Sequence, residues 1–280
     1  MEEAQPSKTA LRVALRRAAH QLVDRPLLFE DPLAIRILGP AYAEELRRTP
    51  DKERRPFSAA LRAFLVARSR YAEEQLATAY AAGVRQYCLL GAGLDTFAYR
   101  NYYEGLQVFE VDHPNTQSWK HEMLQNARIE IPFTVRHVPV DFERQGLADQ
   151  LQQSGFAFDQ PTFFAWLGVV PYLTLEAFRA TLALIASMPP ASGVTFDYSL
   201  PRASLPFLEQ LAHDSLSSRV AQAGEPFQLF FTPEEVRAEL TAFPHIEDLA
   251  TKDISTRYFT NRTDGLNLKG SAAHLLTAWR

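Results

Sequence analysis

The chain has 280 residues, 46% hydrophobic and 22% charged, the composition of a soluble globular protein. Its net charge of −4 supplies no basic face for nucleic acid, and the two short basic stretches, RRAAH at 16–20 and DKERR at 51–55, read as solvated helix ends. A single cysteine, Cys88, excludes an internal disulfide and suits a reducing compartment. The start MEEAQPSKTA lacks the basic residues and apolar run of a signal peptide, and no apolar stretch has membrane-spanning length. A cytoplasmic protein without membrane or nucleic-acid partners is expected.

The first 80 residues read as helical. LRVALRRAAHQLV sets Leu11, Leu15, Ala18 and Leu22 on one face. In FEDPLAIRIL, Asp31 suits an N-cap and Pro32 the first helical position. TPDKERRP, polar and bounded by prolines, reads as a loop. From Phe57 to Tyr80 an amphipathic helix is predicted, with Phe57, Leu61, Leu65, Ala72 and Leu76 on one side. From residue 84 the texture changes. YCLL, LQVFEV, FTVRHVPV, TFFAWL and GVTFDY read as short strands separated by the helical stretches PNTQSWKHEMLQNA, RQGLADQLQQS and LEAFRATLALIAS. This alternation predicts an α/β fold with a parallel sheet covered on both faces. Residues 201–230 read as an inserted helical lid, and TPEE at 232–235 as a capping box opening a helix. HIEDLA and HLLTAWR read as a final antiparallel edge pair.

VRQYCLLGAGLDTFAYR, residues 84–100, carries the chemical signal. A buried strand holding Cys88 runs into Gly91-Ala92-Gly93. A strand, a Gly-x-Gly turn and a helix make half of a nucleotide-binding unit, because glycine lets a ligand lie on the backbone; a tight turn with no ligand is the other reading. Asp112 closes VFEVD 21 positions after Gly91, where an acidic residue binds ribose hydroxyls. The third glycine position of a dinucleotide fingerprint is Thr96. A small residue there, at a helix N-terminus, would suit pyrophosphate. Asp95, inside the turn, would repel phosphate and suit an ammonium group. That electrostatic contrast favours S-adenosylmethionine over a nicotinamide cofactor. Arg68, beside the apolar stripe of its helix, either snorkels to water or clamps a carboxylate. Asp141 ends the third strand as an adenine contact or a helix N-cap.

LLGAGLDTFAYR followed by VFEVDHPNTQSWK, VPVDF, WLGVVPYLT and YFTNRTDGL resembles the leucine carboxyl methyltransferase family, most closely its bacterial S-adenosylmethionine-dependent branch. The resemblance runs from about Leu11 to Arg280. It implies a Rossmann-like methyltransferase fold: a seven-stranded, mostly parallel sheet with an N-terminal helical cap at 1–82. The core would be 83–280, with the lid at about 201–232, in one integrated domain. It also implies that Arg68 binds the donor carboxylate, that Gly91 and Gly93 line the donor, and that Asp112 binds ribose. Asp141 and Phe142 would flank adenine. In the eukaryotic branch a glutamate stands five positions before the tyrosine that matches Tyr172. Here that position is Leu167, a departure that argues against the phosphatase-tail substrate.

The expected activity is S-adenosylmethionine-dependent O-methylation by direct in-line transfer, onto a carboxylate or hydroxyl of a small molecule or peptide. An ionised carboxylate needs no base, whereas a hydroxyl benefits from one. His113 is a conceivable base, although the family assigns its loop to the cofactor. Tyr172, Tyr198 and Arg202 are candidates for the acceptor side, each with the alternative of a core aromatic or a solvated arginine. PFLEQL and EPFQLFF would line an apolar acceptor pocket or simply cover the sheet. Gly-x-Ser-x-Gly and the His-x-x-x-His zinc spacing are absent, so neither an acyl hydrolase nor a metal site is expected. The alternatives are an NAD(P)-dependent oxidoreductase and a non-catalytic S-adenosylmethionine-binding protein. The sequence fixes neither acceptor nor oligomeric state.

Overall fold

Five runs rich in β-branched and aromatic residues form the parallel part of one sheet: β1 (Gln86–Leu90), β2 (Gln107–Asp112), β3 (Val135–Pro139), β4 (Thr162–Trp166) and β5 (Gly193–Ser199). Two antiparallel strands, β6 (His245–Ala250) and β7 (Ala273–Trp279), complete it in the order β3-β2-β1-β4-β5-β7-β6. The computed structural model describes residues 7–141, 145–222 and 224–280. Helices in chain order are α1 (Lys8–Val23), α2 (Ala34–Arg48), α3 (Pro50–Arg54), α4 (Pro56–Ala81), α5 (Pro114–Asn126), α6 (Leu147–Gln153), α7 (Leu175–Ala186), α8 (Phe207–Ala221), α9 (Pro233–Glu239) and α10 (Thr251–Tyr258).

Strands β1, β2, β4, β5 and β7 are buried on both faces, and the two-residue period sorts their side chains into two cores. Cys88, Leu90, Phe109, Phe164, Trp166 and Phe196 pack on one face with Phe178, Leu182 and Ile185 of α7. Tyr87, Leu89, Val108, Phe163 and Ala165 pack on the other with Ala72, Leu76 and Ala79 of α4. The middle of α4 is buried around its whole circumference, because α1 packs on one side and β5 on the other. The predicted one-sided stripe therefore covers only part of its buried surface, and Phe57 at its start is exposed.

The chain order reverses at β1, whose neighbours are β2 and β4. In such sheets the crevice beyond the carboxyl ends of the strands at this switch point is where ligands bind. The segments after β1 and β4 are GAGLDT and LGVVPY.

The structure differs from the sequence expectations in particular places. TPDKERRP contains the helix α3, opened by Pro50 at its first position. Asp31 is not the N-cap of α2, which starts at Ala34; its carboxylate is buried and accepts from Arg17 and Thr96. RRAAH is not a solvated end: Arg17, Ala18, Ala19 and His20 are buried. Leu28 N–H donates to His20 Nε2, which leaves Nδ1 to donate to Asp24 Oδ2 at 2.8 Å, and Arg62 holds the same carboxylate. No α-helix follows the glycine turn; a single 3-10 turn, Phe97–Tyr99, leads to β2. The capping box is formed, with Thr232 and Glu235 bonding each other's backbone N–H. Residues 201–230 contain α8, as the lid reading expects, and β6 and β7 pair antiparallel. Among the described residues no helix is long and apolar enough to cross a membrane.

Candidate functional site

Gly91 leaves β1 with φ 71°, and its N–H and that of Ala92 both donate to Val111 O, at 2.8 and 3.0 Å. A Cβ at Gly91 would collide with Val169 Cγ2 from the segment after β4. Gly93 has φ 47°, and a Cβ there would lie 3.2 Å from Ala10 Cβ of α1. The turn is thus gripped from two sides, and only glycine fits at Gly91 in this backbone. Asp112, at the end of β2, accepts from Gly93 N at 2.5 Å and from His113 N at 2.7 Å. Burial raises its pKa, and the two N–H donors work against that rise. His113 caps α5, its Nδ1 accepting from Asn115 N at 3.2 Å.

Asp95 does not present a free carboxylate. Its Oδ2 lies 2.5 Å from Arg17 Nη1, and its Oδ1 accepts from Phe97 N at 2.7 Å. Burial opposes its charge, but Arg17 and Arg100 outweigh that and lower its pKa to about 2. The ammonium contact expected from sequence is therefore already supplied from within the chain, by a cation 78 residues earlier.

Arg68 is buried, and its Nη1 pairs with Asp197 Oδ2 of β5 at 3.0 Å. Asp197 Oδ1 accepts from Gly168 N at 2.5 Å, so one carboxylate fixes both the guanidinium and the segment after β4. Gly168, with φ 70°, lies under that guanidinium; a Cβ there would stand 2.7 Å from both Nη atoms.

These groups line a cavity of about 1180 Å³ at the sheet's switch point. Of the residues singled out from sequence, Arg68, Gly91, Gly93, Asp95, Asp112 and His113 reach it, as do Asp141, Leu167 and Tyr172. Phe142 lies outside the described residues. Two acceptor-side candidates do not reach it. Tyr198 points into the edge of the sheet, where its hydroxyl donates to Asp248 Oδ2 at 2.7 Å and meets His274 Nδ1 at 3.0 Å. Arg202 is an exposed residue paired with Asp214 of α8 at 2.7 Å. Tyr172 remains: burial pushes its hydroxyl up to about 12, against the neighbouring Thr9 hydroxyl and with Glu225 adding to the rise.

Sequence reasoning missed the contribution of α1, whose Ala10, Val13 and Ala14 wall the cavity beside Ser7 and Thr9. It also missed Asp197, Gly168 and Glu225. The glycine of WLGVV was a usable signal; the others become neighbours only through tertiary packing. The lining fits a nucleoside joined to an amino acid. Glycines let a flat ligand lie on the backbone, Asp112 offers carboxylate oxygens for hydroxyls, and Arg68 supplies a cation for a carboxylate.

The sequence profile of the leucine carboxyl methyltransferase family matches residues 10–186. A Bacillus subtilis (strain 168) protein named "Putative S-adenosyl-L-methionine-dependent methyltransferase YktD" is 32% identical over 95% of this chain and 96% of its own length. Among solved structures, a "putative methyltransferase" from Thermobifida fusca YX has a TM-score of 0.57 at 16% identity, covering 91% of this chain and 96% of that one. A DUF574 family protein from Streptomyces avermitilis MA-4680 has a TM-score of 0.55 at 17% identity, covering 88% and 95%. At these identities the structural likeness is one of fold. The profile match and the near full-length relative establish that the chain belongs to the leucine carboxyl methyltransferase family.

Proposed function

We propose that the chain is an S-adenosylmethionine-dependent O-methyltransferase that acts on a small molecule or peptide. The observation that carries this reading is the pairing, across one cavity, of the glycine turn held by Asp112 with the Arg68–Asp197–Gly168 unit. The two halves hold opposite ends of a nucleoside–amino-acid ligand. Arg68 would bind its carboxylate, Gly91 and Gly93 its central part, Asp112 its ribose, and Asp141 the adenine side. The nicotinamide alternative loses support here. A dinucleotide wants a helix N-terminus after the turn, and this turn leads to a 3-10 segment with Asp95 beside it.

Bound S-adenosylmethionine supplies an electrophilic methyl group on a sulfonium sulfur. The chain's own part is orientation and exclusion of water, which together supply roughly 7–11 kcal/mol in well-oriented systems. The cap helix α1 covers the glycine turn, and the segment after α8 covers the other rim through Gln228 N–H, which donates to Pro171 O at 2.7 Å. We assign 1–82 to a cap, 83–280 to a core and about 201–232 to a lid, working as one unit.

The test is thermal unfolding with S-adenosylhomocysteine or NADH present. A ligand at 100 times its Kd stabilises by about 2.7 kcal/mol, which raises Tm by several degrees in a protein of this size. Such a rise with S-adenosylhomocysteine and none with NADH is the expected result; the reverse would refute the reading.

A further inference from the structure

Helix α5 is capped by a histidine, although serine, threonine, asparagine and aspartate are the residues that usually do this work. His113 Nδ1 accepts from Asn115 N–H at 3.2 Å. A ring nitrogen that accepts carries no proton, so the proton of the neutral imidazole sits on Nε2. The cap therefore fixes one tautomer. Compared with a serine or an aspartate, it adds an N–H donor on the far side of the ring.

That donor has no partner. His113 is half-buried and lines the cavity. Its Nε2 makes no hydrogen bond among the described residues and keeps accessible surface. The start of the helix offers little in its place: Pro114 has no N–H, and that of Asn115 is held by the ring. A nitrogen that already carries its proton takes none from an acceptor, so the ring serves as a hydrogen-bond donor and not as a general base.

Its neighbour, Asp112, can only accept. Asp112 Oδ2 takes Gly93 N–H at 2.5 Å and Oδ1 takes His113 N–H at 2.7 Å. These bonds fix the carboxylate and leave each oxygen a second lone pair. Two hydroxyls on adjacent carbons bring two protons to those lone pairs. The hydroxyl oxygens then need a donor of their own, because a polar atom enclosed without a partner is costly. A carboxylate and an N–H donor on consecutive residues meet both needs.

We propose that His113 is a specificity-determining residue of the donor site: Nε2–H donates to one hydroxyl oxygen of the ribose while Asp112 accepts from the diol. Together they select a ribose over a deoxyribose. This inference rests on the methyltransferase reading above, in which Asp112 faces the ribose. Its sequence signal is Asp112-His113-Pro114: an acceptor, a donor, and the proline that opens the helix.

The test is calorimetric titration of the full chain with S-adenosylhomocysteine and its 2′-deoxy and 3′-deoxy analogues. His113→Ser removes the imidazole and keeps a strong N-cap, so its Tm should stay close to that of wild type. The variant is expected to bind S-adenosylhomocysteine about fivefold more weakly, the scale of one neutral hydrogen bond. At least one deoxy analogue, the one lacking the hydroxyl that Nε2–H reaches, should bind variant and wild type alike. If His113→Ser loses its fold, His113→Thr replaces it, with the same expectation. A histidine that acts only by holding α5 or Asp112 would weaken all three ligands by the same factor, and that result would overturn the proposal. So would S-adenosylhomocysteine binding that is unchanged by the substitution. Failure of wild type to bind S-adenosylhomocysteine would instead remove the methyltransferase reading, and the role of His113 with it.

Discussion

Arg17 Nη1 lies 2.5 Å from Asp95 Oδ2, and Nη2 of the same guanidinium lies 2.6 Å from Asp31 Oδ2. One side chain of the first helix thereby joins the glycine turn to the segment before α2. The Arg17 and Asp31 side chains are almost wholly buried, at 5% and 0% exposure. Removing one member of a buried pair strands the other charge, at about 3–5 kcal/mol. Arg17→Ala should lose stability on that scale in urea unfolding. It should also bind S-adenosylhomocysteine more weakly, because the turn loses its anchor. A loss below about 1 kcal/mol would mean that the cap does not brace the turn.

The Asp95 carboxyl gives a pH signature. Its pKa is about 2 in the folded chain against 3.8 for the ordinary group. A depressed carboxyl stabilises above its unfolded pKa and loses that stabilisation as pH falls through the folded value, here from about pH 4 to about pH 2. The full effect is roughly 2 kcal/mol. Arg17, Arg100, Lys120 and Glu73 face the group in both proteins being compared. The stability gap between wild type and Asp95→Asn should therefore shrink by about 1 kcal/mol between pH 6 and pH 3, and further toward pH 2. A gap that holds constant over that range would contradict the ion pair.

Gly91 and Gly105 separate backbone strain from close approach. Both have positive φ, 71° and 73°. A Cβ at Gly105 meets nothing within 4 Å, whereas one at Gly91 collides with Val169. Gly105→Ala should cost about 1–2 kcal/mol, the strain alone. Gly91→Ala should cost clearly more and displace the segment after β4, weakening donor binding. Equal costs at the two positions, measured by urea unfolding, would show that the turn and that segment are not in contact.

Tyr198 and Arg202 should prove structural. Tyr198→Phe removes a hydrogen bond to Asp248, with an expected loss of about 1–3 kcal/mol. Arg202→Ala breaks an exposed ion pair, worth at most about 1 kcal/mol. Neither should change affinity for S-adenosylhomocysteine by more than about twofold in calorimetry. A large loss of affinity in either variant would restore it to the site.

Strands β1, β2, β4, β5 and β7 were legible because each is a short run rich in apolar and aromatic residues, buried on both faces. Gly91 and Asp112 were legible because their spacing follows from strand geometry: the turn after β1 and the end of β2 are adjacent in a parallel pair. The role of α1 was not. Arg17 has the sequence surroundings of a solvated helix residue, and its partners Asp31 and Asp95 are set by tertiary packing. The same holds for Arg68, whose apolar neighbours called for a partner but left Asp197, 129 residues on, unnamed. Asp95 shows the same limit: it lines the cavity as a carboxylate in a turn suggests, but the sequence does not show the internal cation, Arg17, that it also holds.

The central claim is that one cavity binds S-adenosylmethionine through Asp112 and the glycine turn. The measurement that tests it most directly is calorimetric titration of wild type and Asp112→Ala with S-adenosylmethionine, S-adenosylhomocysteine and NADH. The account predicts that wild type binds the first two and not NADH, and that Asp112→Ala, with its fold intact, binds them at least about tenfold more weakly, the scale of one hydrogen bond to a charged group. Binding of NADH alone, or donor binding unchanged by Asp112→Ala, would contradict it.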